Sequence, residues 1–413
     1  MTVGPEIAAR PSLTLPLLIV VFGLLLTGWS FAADFQGATH LLEFERDPIR
    51  YSKASSQTRV DELARQVQDG TQSLAFQEPD GYLRDILRAL DISPASQVLV
   101  FSKSSAQRTF IDPLNPRAIY FNDEIYLGYI PGAPVLELTA SDPFLGTVFY
   151  TFPQKQTARP SFERTNQCLE CHAASRTLGI PGHLFRSFAT DRGGLVDYTE
   201  LGAQITDRLP LEERYGAWYV SNDIGQARHR GRILAPGGKR PFQVSRYPSE
   251  ESDLVALLVL GHQIHFHNFL TRLIYGARLA VEQYGHVRYM KPQIDAFLRY
   301  VMFLDEAPLA RPENQQSPFT KAFAKRARRD AQGRSLRDFD LENRLFKYRC
   351  SYLIGADAFQ GLEPVVHQEI SLRLKEILEA EIPEVPFNAI PRSERSAILG
   401  ILQETGNSIT RFW

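Results

Sequence analysis

The stretch AIYFNDEIYLGYIPGAPVLELTASDPFLGTVFYTF, residues 118–152, decides the fold class. Its runs 118–130, 134–138 and 146–152 are rich in β-branched and aromatic residues. Asn122-Asp123, Pro131-Gly132 and Asp142-Pro143 supply the turn chemistry that breaks such runs into strands. With a further run at 98–101 and a turn at Asn115-Pro116, the region predicts a small antiparallel sheet. Upstream, 59–68 and 81–90 carry apolar residues at helical spacing, the second behind Pro79 and Asp80. Downstream, 159–238 mixes glycine, proline, arginine and aromatic residues with no sustained period, which suits a pocket of loops and short helices. A long helix follows at about 253–284, which Ser249, Glu250 and Glu251 are expected to cap. Helices are then predicted over 292–304, 319–329, 364–380 and 393–405. The fold class is α+β: a small antiparallel β region followed by a mainly α-helical part.

Three regions result, namely 1–33, 34–158 and 159–413. In the first, an apolar run at 15–26 follows Arg10 and precedes Ser30, Phe31, Ala32 and Ala33, the layout of a signal peptide. The alternative is a retained membrane anchor over 13–31. Either places the remainder in the periplasm or another extracytoplasmic space, free or tethered to the inner membrane. With 46 basic and 47 acidic side chains the formal charge is −1, so no global field draws the molecule to nucleic acid. Three cysteines exclude a disulfide framework.

Two of those cysteines stand in Cys168-Leu169-Glu170-Cys171-His172. On one helical turn, thiols three apart are neighbours and the next residue brings an imidazole to the same place. A redox dithiol would sit in a βαβ pattern, which this region lacks, and zinc would need a second ligand pair that the lone Cys350 does not provide. The C-x-x-C-H pattern resembles the attachment motif of c-type cytochromes. That resemblance implies one haem c held covalently by Cys168 and Cys171, iron ligated proximally by His172, and a redox partner protein.

The sixth iron position is open to several side chains. His229, in a polar loop 57 residues after His172, is the candidate distal ligand, at a separation similar to that in many single-haem cytochromes. His183 lies eleven residues past His172. His262 and His265 share a face of the long helix and His267 points elsewhere. Met290 and Met302 are the remaining methionines after the initiator. Arg164, Arg176 and Arg186 are candidates to meet haem propionates, and Cys350 reads as a buried, inert thiol. Five basic residues in 321–329 read as a solvated face or a docking patch. The expected function is electron transfer by an exported monohaem cytochrome. The alternatives are a haem-dependent oxidoreductase with an open or displaceable sixth site, or a haem-bearing subunit of a membrane redox complex.

Overall fold

The computed structural model describes residues 1, 4, 40–200, 202–221, 228–309 and 316–413, so the export segment expected over 1–33, its apolar run at 15–26 included, lies outside the described residues except for positions 1 and 4. Residues Ala33–Trp413 form one compact unit. Helix α1 (Arg59–Gln68) starts at a reciprocal cap, in which Thr58 accepts from the Asp61 amide and Asp61 returns a bond to the Thr58 amide. Helix α2 is Leu83–Ala89.

Six strands follow: β1 (Val98–Val100), β2 (Arg117–Phe121), β3 (Ile125–Tyr129), β4 (Val135–Asp142), β5 (Gly146–Pro153) and β6 (Glu163–Arg164). They pair antiparallel in chain order, an up-and-down meander. Asn122 makes the β2–β3 turn by accepting the Glu124 and Ile125 amides, and Asp142 does the same for Phe144 and Leu145. Strand β4 runs four residues beyond the predicted run because Thr139 pairs Phe149 and Ser141 pairs Thr147 on β5. Its side chains alternate between faces. Leu136, Leu138 and Ala140 enter the main core, while Glu137, Thr139 and Ser141 remain half-buried on the other face.

The segment between the sheet and the long helix contains only short pieces, in keeping with its lack of period: α3 (Leu169–His172), the pair β7 (Arg186–Ser187) and β8 (Ala203–Gln204), and the parallel pair β9 (Tyr219–Ser221) and β10 (Arg232–Leu234). Helix α4 (Leu254–Tyr284) is the spine of the fold, 31 residues or roughly 46 Å long. Its cap is Asp253, which accepts the Ala256 amide. The expected Ser249 instead accepts from the Glu251 amide, two residues too early to reach the helix. Gly146 lies under α4 in a left-handed conformation, where a Cβ would sit 2.3 Å from Thr271, so the sheet end and the helix approach closely.

By length and composition α4 is apolar enough to cross a membrane, yet that window is wholly buried inside the molecule. Helices α5 (Lys291–Val301), α6 (Pro318–Lys325), α7 (Pro364–Glu379) and α8 (Arg392–Glu404) complete the mainly helical C-terminal part. The main core extends from Phe44 to Ile409, across both regions distinguished by composition. The architecture is α+β.

Candidate functional site

The Cys168–His172 segment forms a single tight turn. The His172 amide donates to Cys168 O at 2.9 Å and the Ala173 amide to Leu169 O at 3.0 Å. Leu169 and Ala173 pack against the main core, which fixes the turn and leaves Cys171 exposed and Cys168 half-buried. Both cysteines are free thiols. Burial, followed by the Glu137 charge, pushes the Cys168 thiol up to about 11. A dithiol redox catalyst needs the opposite shift. Glu137 pairs with Arg117 at 2.7 Å on the half-buried face of the sheet, and Arg117 offsets part of the Glu137 effect on Cys168.

The imidazole of His172 is held by Gly182. Its Nδ1 stands 2.9 Å from the Gly182 carbonyl, and the Gly182 amide donates back to the His172 carbonyl at 2.8 Å. A carbonyl oxygen only accepts, so Nδ1 carries the proton and Nε2 presents a lone pair. Burial holds this ring's pKa below the ordinary imidazole value, keeping it neutral. Phe149 lies edge-on to it at 5.1 Å.

Gly182 is fixed in turn by two neighbours. Asn268 on α4 accepts the His183 amide and donates to the His183 carbonyl, both at 2.8 Å. Thr177 bridges Ala174 and Ile180 through its hydroxyl. Sequence reasoning did not single out Gly182, Asn268 or Thr177; the Asn268 contact spans 85 positions and has no local signal.

The distal candidates are placed differently. His183 has both ring nitrogens engaged, Nε2 with Thr139 at 2.9 Å and Nδ1 with Thr147 at 3.0 Å. His262 is bonded to Ser351 and Tyr300, and His267 to Ser141 and the Asp123 carbonyl. All three are buried, and burial lowers their pKa values, to about 3 for His262 and about 4 for His267. His265 packs on Phe269 and Tyr300. Met290 and Met302 are core side chains. In this structure the polar atoms of His183, His262 and His267 and the volumes of the methionines are used in holding the fold.

His229 is held in another way. The Gly231 amide donates to its Nδ1 at 2.9 Å, so in the neutral ring the proton sits on Nε2, which is buried without a partner. Neither nitrogen offers iron a lone pair in that arrangement. Its ring lies against Tyr215, and none of its described contacts is with the motif.

Arg164 donates to the Tyr51 and Ala54 carbonyls and is a structural tie, whereas Arg186 stacks on Phe188 near the exposed Arg176 and keeps a buried, unpartnered Nε. Cys350 is fully buried, its thiol pushed up to about 12. Within the basic stretch, Arg326 pairs with Asp91 and Asp123, and Arg329 with Asp338. Among the described residues no group of three or more His, Cys, Asp or Glu is arranged to hold a metal ion.

No known protein family, curated protein or solved structure matches this chain.

Proposed function

We propose that this protein is an exported monohaem c-type redox protein that transfers electrons to or from a partner protein. The observation that carries the reading is the His172–Gly182 hydrogen bond, which sets an Nε2 lone pair on the same turn as two free thiols. Cys168 and Cys171 would hold the haem by adding across its two vinyl groups. In each addition a C–S bond forms, the thiol hydrogen passes to the vinyl terminal carbon, and no oxidant is consumed. His172 would ligate the iron. Haem so bound supplies one-electron Fe(III)/Fe(II) chemistry. The Gly182 carbonyl orients the imidazole and raises its basicity, and Arg176 and Arg186 would be the cationic partners of the propionates. The apolar run at 15–26 supports export and, if retained, tethering beside a membrane redox complex.

A second reading, haem chemistry on a small molecule at an open sixth position, is favoured by one observation: His183, His262 and His267 spend both ring nitrogens on the fold. Production with haem-maturation machinery, followed by denaturing electrophoresis with haem staining, tests the first reading. Covalent haem is expected in the wild type and absent in Cys168→Ala/Cys171→Ala, and wild-type protein without it would overturn the reading. Carbon monoxide added to the ferrous protein separates the two, since ready binding favours the open-site enzyme.

A further inference from the structure

A cavity of about 470 Å³ opens between the 189–192 loop, the 216–217 segment and β10. Three guanidinium groups, Arg192, Arg230 and Arg232, line it against one carboxylate, Asp191. That carboxylate is already committed, its Oδ1 accepting the Gly193 and Leu195 amides. Arg230 pairs with Glu200 at 3.1 Å, and both side chains are exposed. Among the described residues, Arg192 and Arg232 have no acidic partner.

The cations are presented by a stiff frame. Arg232 lies over the Phe101 ring at 4.5 Å and near Tyr219 at 5.7 Å, so its planar head is oriented before any ligand arrives. The loop carrying Arg192 is clamped: the Lys103 amide donates to Gly194 O, and a Cβ on left-handed Gly194 would fall 2.2 Å from Phe101 O. Ala217 in the lining and Tyr215 two residues before it are non-glycine residues at positive φ, 65° and 68°. These costly conformations let Gly216 O accept from Phe188 and Ala217 O from Phe101. An ordered arginine with no carboxylate partner among the described residues, set over a strained and pinned floor, is the arrangement expected where an anion is to be bound.

We infer that this cavity is a binding site for a small oxyanion, a carboxylate or phosphate group whose organic remainder occupies the rest of the volume. The site is independent of the haem reading, because none of its residues belongs to the Cys168–His172 turn or its supports. Isothermal titration of the full chain at low ionic strength, with inorganic phosphate in one arm and succinate in the other, identifies the preferred anion.

Saturable one-to-one binding of at least one probe is expected, weakening with added sodium chloride and about tenfold weaker in Arg232→Gln. Arg192→Gln, an exposed loop change, should weaken it severalfold and guards against misfolding of the first variant. Arg228→Gln, outside the cavity, should leave it unchanged. Absence of binding by both probes, or equal affinity in wild type, Arg232→Gln and Arg192→Gln, would overturn the proposal.

Discussion

His172 and His229 are the same residue in opposite electronic states. At His172 a carbonyl accepts from Nδ1 and leaves the far nitrogen basic; at His229 an amide donates to Nδ1 and leaves the far nitrogen protonated. Each assignment follows from the backbone group that faces the ring, so the capacity to bind a metal is decided by the neighbouring main chain. His262, His267 and His183 form a third class, in which both nitrogens are satisfied and the ring serves as a polar tie between helix, sheet and C-terminal loops.

The sharpest way to break this comparison is to exchange the roles. With the proposed haem in place, His172→Ala should change the haem spectrum and His229→Ala should leave it unaltered, read by absorption of oxidised and reduced protein. A spectrum lost in His229→Ala would mean that the loop histidine changes tautomer and ligates after all.

Next in size, His262→Ala should cost about 3–5 kcal/mol, since it opens a core cavity and strands the hydroxyls of Ser351 and Tyr300. Urea unfolding measures that loss, and the haem spectrum of the folded fraction should not change.

The third effect depends on pH. His262 and His267 titrate near 6.5 when unfolded but at about 3 and about 4 when folded. Between those limits the unfolded chain binds more protons, so stability is complete above about pH 6.5 and falls as the pH drops. The full loss is about 5 kcal/mol for His262 and about 3 kcal/mol for His267, reached only near their folded values. Buried Asp207 and half-buried Glu306, raised to about 6 and about 8, act in the opposite direction over their own ranges. Comparing unfolding midpoints of wild type and His267→Gln at pH 7 and pH 5 isolates the histidine, and the variant should show the shallower dependence.

The smallest effect concerns the support of Gly182. Thr177→Val removes the hydroxyl that links Ala174 to Ile180, at a cost of about 1 kcal/mol. A looser Gly182 carbonyl makes the His172 ring less electron-donating, so the reduction potential should rise, as spectroelectrochemistry would show.

Much of this was legible in the chain. Helix α1 was read to its observed limits because its cap and its period agree, and the meander because Asn122 and Asp142 announce their turns. The α4 periodicity also separated its histidines correctly: His262 and His265 both meet Tyr300 while His267 meets the sheet. What escaped was long-range. Gly182 and Asn268 act on His172 through contacts that no local pattern encodes. The cap moved to Asp253 because Ser249 and Glu251 are drawn to Gln97, whose side-chain amide donates to both of their carbonyls from 152 and 154 positions away.

Helix α4 has a consequence before the protein is folded. A segment of this length and apolarity presented to a translocation channel qualifies for lateral release into lipid. His262, Gln263, His265, His267, Asn268 and Arg272 interrupt it, and arginine alone disfavours the bilayer centre by about 2.5–3.5 kcal/mol. In a chain exported as proposed, the polar side chains that set the register of the finished helix would thus also disfavour lateral release of this spine into lipid.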